Sequence, residues 1–359
     1  MAEHGTRPSL LAAILLLGAP LVALTTPALL RSPGDDLTVI DGVWALDYER
    51  AFDAGLSIRS AAVSTWAVIQ YGLFGEGRPG VLVGADGWLY TTEEFAVLPD
   101  ADAEIGAKLA TILEIANDLE ERGVKLVVAL IPDKARIEGE HLGRYIRPPE
   151  LATRYATVRQ AIIDRGVPAP DLLAAMMEGK GHASMFLRTD THWAPEGADV
   201  AAAALAEAIA PLLSAEARSV VSTNPGETVM HSGDLLNFLP LGVFAAMGPP
   251  PDTIETQTTT VESAEASGLF DTVAIPVALV GTSYSANSLW NFAGALSQRL
   301  QADVLNVSAE GQGPMRPMFD YLDSSTLAET SPEVLVWEIP ERFLQVHYDA
   351  PSSNPTSSP

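Results

Sequence analysis

The sequence predicts an α/β fold in which a parallel sheet is sandwiched by helices. Three observations carry that prediction. Continuous apolar runs of strand length, "KLVVALI", "VALV" and "VLVW", are the pattern of strands buried on both faces. Helical patterns alternate with them, over 103–121, about 150–164, and the alanine-rich "APEGADVAAAALAEAIAPLL". That alternation puts helices on both sides of a parallel sheet. Glycine-bearing turns, "GTSYS" and "SAEGQGP", follow the later runs where strands should end.

The chain has 359 residues and 47% hydrophobic content, enough for a substantial core. Residues 1–33 open with Arg7 and then carry no charged side chain from Pro8 through Leu30. That run is long enough to span a bilayer, which needs about 20 apolar residues. We expect an uncleaved signal anchor, with a cleaved signal peptide and a cytosolic amphipathic start as the alternatives; the first two place the rest outside the cytoplasm. Residues 34–79 are expected to be a helical entry segment, with an amphipathic helix over 47–74. The compact domain is expected over 80–346, opening on a hairpin signalled by Asp86-Gly87 in "GADG". "VKLVVALIPDK" reads as a buried strand, and Pro195 suits the first turn of a helix, leaving Asp190 and His192 on the loop entering it. Residues 214–270 are poorer in pattern and rich in Ser, Thr, Pro and Glu; within them "MGPPPDTIETQTTTVESAEASG", 247–268, reads as a surface excursion, and 347–359 as a disordered tail.

A net charge of −25 argues against nucleic acid or anionic lipid headgroups as general partners. The absence of cysteine excludes thiol catalysis, Cys-ligated zinc and disulfides. Ligands of parallel α/β sheets bind beyond the carboxyl ends of the strands. There "GTSYS" leaves a strand and enters a helix, which exposes the Ser283 hydroxyl and sets its N–H where an oxyanion is stabilised. The alternative is a serine that caps the helix. A hydroxyl needs a base, and a base needs an orienting carboxylate. Of the six histidines, at 4, 141, 182, 192, 231 and 347, His192 has one two residues back, Asp190. The alternatives for this pair are an N-cap aspartate beside a bystander histidine, or half of a metal site whose further ligands are not evident. No metal and no cofactor is expected.

At "GADGWLY", "IPDKARI", "RTDTHWAPEGA", "GDLLNFLPL", "VALVGTSYS", "NVSAEGQGPM" and "VWEIPERFL", in order over about 80–345, the chain resembles the alginate O-acetyltransferase family of the AlgJ/AlgX type. The resemblance implies an SGNH-hydrolase-like acetyltransferase domain with a permuted order of catalytic motifs, Asp190 and His192 preceding Ser283. It also implies an acetyl-serine intermediate and an extracytoplasmic polysaccharide acceptor. A membrane-bound O-acyltransferase would supply acetyl groups, and the enzyme would be a periplasmic protein held at the inner membrane. With no room for a carbohydrate-binding module after the core domain, the chain looks like the anchored, single-domain branch. A carbohydrate acetyl esterase and a non-catalytic scaffold of an exopolysaccharide export complex are the alternatives.

For the oxyanion hole the candidates are the Ser283 N–H with Gly311 or Gly313. Lys134, Arg188 and Arg316 are candidates for a cationic substrate groove, against ordinary ion pairing. Trp193 and Tyr284 either stack on a sugar or pack beneath the site. Glu338 and Arg342 resemble a family ion pair and read as structural.

Overall fold

The structure, a computed structural model, describes residues 41–55, 58–262 and 275–348. Its described residues divide into two compact units. The smaller comprises the chain up to Gly75 together with Leu239–Gly248. In it, α1 (Val43–Gly55) and α2 (Arg59–Ile69) are followed by one π turn, Gln70–Phe74, so the single helix expected over 47–74 is two. Gly55 closes the first, as a residue that loses the most backbone freedom in a helix tends to. Gly242, at φ +55°, lies against α2 so closely that a Cβ there would meet Ser64 Oγ at 2.3 Å.

The larger unit opens on the expected hairpin, β1 (Val81–Val83) against β2 (Leu89–Thr91). Asp86 and Gly87 sit at φ +54° and +78°, the left-handed pair that a two-residue hairpin turn requires. Helix α3 (Ala101–Glu121) leads to β3 (Lys125–Ile131), then α4 (Lys134–Ile137), α5 (Arg154–Ile163), α6 (Leu172–Gly179) and α7 (Pro195–Ile209). Strands β4 (Val220–His231) and β5 (Asp252–Glu262) precede β6 (Val277–Val280), α8 (Ser283–Ala286), α9 (Phe292–Leu300) and β7 (Val304–Asn306). Helices α10 (Met315–Leu322) and α11 (Ser325–Thr330) and strand β8 (Val334–Pro340) complete the unit.

The sheet has the order β3-β8-β6-β7, all parallel. Successive side chains of a strand face opposite ways, and here both faces are covered. Val127, Ala129, Val277, Leu279 and Val336 join the core under α6, α7 and α9. Leu126, Val128, Ala278, Val280 and Trp337 join a second core under α3, α5 and α10. That is why these strands read as unbroken apolar runs.

The segment expected as a surface excursion, 247–268, is ordered as a strand in its described part: β5 pairs with β4 in a long antiparallel ribbon with a register shift between Pro225 and Thr228. Threonine-rich strands with one half-buried face, such as "TIETQTTT", satisfy β geometry without an apolar run. Among the described residues no helix is long and apolar enough to cross a membrane. The expected anchor over 1–33 and the tail beyond 348 lie outside the described residues.

Candidate active site

Strand β6 ends at Val280 and the chain turns through Gly281 and Thr282 into α8. Gly281 is required by closeness to β8: a Cβ there would lie 2.4 Å from Glu338 Oε2 and 2.7 Å from Glu338 Cβ. Glu338 is fully buried, and its carboxylate accepts from the Thr282 N–H (2.7 Å), Thr282 Oγ1 (3.0 Å) and Ser285 Oγ (3.0 Å). Burial pushes its carboxyl up to about 7. Thr282 Oγ1 in turn accepts from the Tyr284 N–H as the helix cap. The turn is thereby tied to the central strand, and Ser283 stands as the first residue of α8, where its N–H has no intrahelical acceptor.

The opposing loop, 188–194, belongs to no strand and is held by carboxylates. Asp252 accepts from the N–H groups of Arg188 (3.0 Å) and Thr189 (2.9 Å) and from Thr189 Oγ1. Asp234 accepts from the Thr191 N–H (2.9 Å) and Thr191 Oγ1 (2.6 Å). Gly233 passes so close to Thr189 that a Cβ would meet its carbonyl oxygen at 2.2 Å. Lys134 approaches from below and donates to the carbonyls of Leu89 (2.6 Å), Arg188 (3.0 Å) and Asp190 (2.9 Å). Burial lowers its ammonium to about 8, while the carboxylates of Glu94, Asp252, Asp190 and Asp234 favour the charged form.

These supports bring Asp190, His192 and Ser283 into one line. His192 Nδ1–H donates to Asp190 Oδ1 at 2.6 Å, and Ser283 Oγ–H donates to His192 Nε2 at 2.7 Å. The carboxylate beside Nδ1 fixes which nitrogen carries the proton, leaving Nε2 as the acceptor. The imidazole is sandwiched against Trp290, ring centroids 4.6 Å apart and nearly parallel. Asp190 also accepts from the backbone N–H groups of His192 (2.9 Å) and Asp234 (3.0 Å), and from His231 Nε2–H at 2.7 Å. Burial alone would raise the Asp190 carboxyl; hydrogen bonds from His192 and His231 reverse that and hold it well below the ordinary carboxylate range.

Among the described residues, one group has potential metal-ligating atoms gathered within 4.8 Å, those of Asp190, His192 and Asp234. Its side-chain atoms are occupied by the hydrogen bonds just given, so the cluster reads as a bonding network. A cleft of about 410 Å³ adjoins the loop, lined among others by Trp88, Ser184, Arg188, Glu196 and Asp252.

A family model described as the SGNH hydrolase-like domain of acetyltransferase AlgX matches residues 81–341. The chain belongs to this family. It is 42% identical over 332 residues to the probable alginate O-acetylase AlgJ of Pseudomonas putida, covering 89% of this chain and 85% of that one. It is 39% identical to the Pseudomonas aeruginosa protein of the same name, over 97% and 93% of the two chains. The solved O-acetyltransferase domain of Pseudomonas putida AlgJ superposes with a TM-score of 0.71 at 42% identity, over 77% of this chain and 96% of that one. Pseudomonas aeruginosa AlgX, at 22% identity, shares the fold, with a TM-score of 0.58 over 75% and 63%. The expected SGNH-hydrolase-like architecture and the expected class, an acetyltransferase, are those of the family.

Several expected substrate contacts are corrected by the geometry. Lys134 is fully buried with three carbonyl acceptors for its three N–H donors, which leaves none for a ligand. Trp193 and Tyr284 are buried beneath the site, packed edge to face at 5.2 Å; the Tyr284 hydroxyl donates to the Thr191 carbonyl and accepts from Arg342. Arg316 is exposed and paired with Asp320 one turn along α10. Arg188 lines the cleft: one Nη donates to the Pro250 carbonyl and its buried Nε has no acceptor. Gly311 and Gly313 lie on the loop after β7, both at positive φ, and Gly313 is backed by the Tyr348 ring. Arg342 pairs with Glu93 at 3.1 Å, whereas Glu338 binds the Ser283 turn. Sequence reasoning missed His231, Asp234, Asp252 and Trp290. The signal available was the motif "GDLLNFLPL", which contains Asp234 and begins two residues after His231.

Proposed function

We propose that this protein is an alginate O-acetyltransferase that works through an acetyl-serine at Ser283. The observation that carries the reading is the unbroken Asp190–His192–Ser283 chain of hydrogen bonds, at 2.6 and 2.7 Å. Ser283 Oγ attacks the carbonyl carbon of an acetyl donor while its proton passes to His192 Nε2. The tetrahedral oxyanion, held by the Ser283 N–H with the Gly311 or Gly313 N–H as further donors, collapses. The donor's leaving group departs with the proton from His192. A sugar hydroxyl then gives its proton to the same nitrogen and attacks the acetyl-serine. A second tetrahedral species collapses to the sugar acetate, and Ser283 recovers its proton. Asp190 orients the imidazole and stabilises its charged form throughout.

Alginate is the acceptor proposed because relatives about 40% identical over nine-tenths of the chain bear the name probable alginate O-acetylase AlgJ. That reading is supported by Arg188, which lines the cleft beside the loop and would meet a uronate carboxylate there. We place the enzyme in the periplasm, held at the inner membrane by residues 1–33 and supplied with acetyl groups by a membrane-bound O-acyltransferase. The test is incubation of the full chain with a chromogenic acetyl ester and oligouronates, read by mass spectrometry of both protein and oligomer. Wild type should acetylate Ser283 and then the oligomer. Ser283→Ala should do neither, and His192→Ala should be slowed by about a thousandfold or more. Ester cleavage with no oligomer ever modified would instead make the protein an esterase, and full transfer by Ser283→Ala would remove the proposed nucleophile.

A further inference from the structure

Asp190 is shared between two imidazoles. His192 Nδ1–H occupies its Oδ1, and His231 Nε2–H occupies its Oδ2. The triad reading gives work to the first and none to the second. We propose that His231 is a positioning residue for the acyl-transfer reaction: it holds the Asp190 carboxylate square to His192, and its charge sets the pH range in which the pair works.

The proposal rests on the assignment of Asp190, His192 and Ser283 made above, and three observations support it. First, a carboxylate has about four lone-pair sites, and Asp190 fills them with two donors on each oxygen: His192 N–H and Nδ1–H on Oδ1, Asp234 N–H and His231 Nε2–H on Oδ2. Removing the side-chain donor leaves Oδ2 held by the Asp234 N–H alone, with less to keep the carboxylate square to His192. Second, His231 is delivered by the paired β4–β5 ribbon. It is the last residue of β4, register partner of Asp252 on β5, and Asp252 itself straps Arg188 and Thr189. Trp290, whose face stacks on His192, meets the His231 ring edge-on at 6.4 Å.

Third, the groups around His231 favour its cation. The catalytic loop presents Asp190, β5 presents Asp252, and the turn Asp234–Phe238 presents Asp234; Trp290 is uncharged. The Asp190 hydrogen bond raises the imidazole above its ordinary value, burial opposes, and the charges of Asp190, Asp252 and Asp234 add to the rise. While His231 carries its proton, the charge of Asp190 is shared between the His231 cation and the His192 N–H. When His231 is neutral, all of that charge supports His192.

The experiment is the pH profile of kcat/KM for acetyl transfer from a chromogenic ester. It compares full-length wild type, His231→Gln, His231→Ala and Ser283→Ala across roughly pH 5 to 9, where imidazoles titrate. His231→Gln keeps an N–H donor for Oδ2 but never a charge. Its acid limb should move up by about one pH unit, the scale of one partly screened charge nearby. His231→Ala should show the same displacement and a plateau lower by about tenfold, the cost of a lost hydrogen bond to a charged group, most of it restored in His231→Gln. Both variants falling in rate with the limb unmoved, or neither changing at all, would overturn the proposal. Ser283→Ala separates the layers: if it retains wild-type activity the triad assignment itself fails, whereas an inert Ser283→Ala beside unchanged His231 variants removes only this inference.

Discussion

Glu338 makes no hydrogen bond to Asp190, His192 or Ser283, yet it sets where Ser283 stands. Its buried carboxylate gathers the Thr282 N–H and two hydroxyls, and so fixes the turn that carries Ser283. Burial raises it from 4.5 to about 7. Folding therefore takes up a proton between those values, and the stability this contributes is complete below pH 4.5 and lost as pH rises through 7. Glu338→Gln keeps an acceptor and removes the titration. Its urea midpoint should be flatter than wild type across that window and equal or higher at pH 8, which denaturation at a series of pH values checks. Single residues were legible in the sequence where the chemistry is local. Asp190 and His192 are two residues apart, and Ser283 follows a strand. His231, thirty-nine residues beyond His192, carries no such mark, because its meaning depends on a ribbon that the polar composition hides.

The β4–β5 ribbon is the element that completes the site. Its last register pair, His231 with Asp252, is the neck through which the chain leaves into residues 232–251 and returns. That pair and Asp234 join Lys134 and Tyr284 in holding the loop 188–194. Asp252→Ala would strand two backbone N–H groups and a hydroxyl. It should cost about 3 kcal/mol of stability, and should lower kcat more than it raises KM for the ester; calorimetry and steady-state kinetics measure the two. The sheet strands were legible because burial on both faces writes a continuous apolar run. Their order, β3-β8-β6-β7, was not, since the sequence does not say which runs are neighbours. The same limit explains the misreading of Lys134: a lysine just after a strand looks like a surface cation until the loop that wraps it is known.

At the scale of the whole molecule the dominant quantity is charge. A protein at −25 meets a polyuronate as one polyanion meets another, with Arg188 as a local exception at the cleft. Salt screens long-range repulsion more than it screens a close, partly buried contact. Raising ionic strength from about 10 to 200 mM should lower KM for oligouronates about twofold or more while leaving KM for a neutral acetyl ester unchanged. Arg188→Ala should raise the oligouronate KM without restoring it at high salt. The fourfold saturation of Asp190 also has a consequence for traffic through the site. A carboxylate pinned by donors from three chain segments, the catalytic loop, β4 and the Asp234 turn, keeps the imidazole from swinging. In the reaction proposed above, His192 Nε2 would then serve one place only. The departing half of the donor and the incoming sugar hydroxyl would have to stand in that place by turns, each keeping the other out.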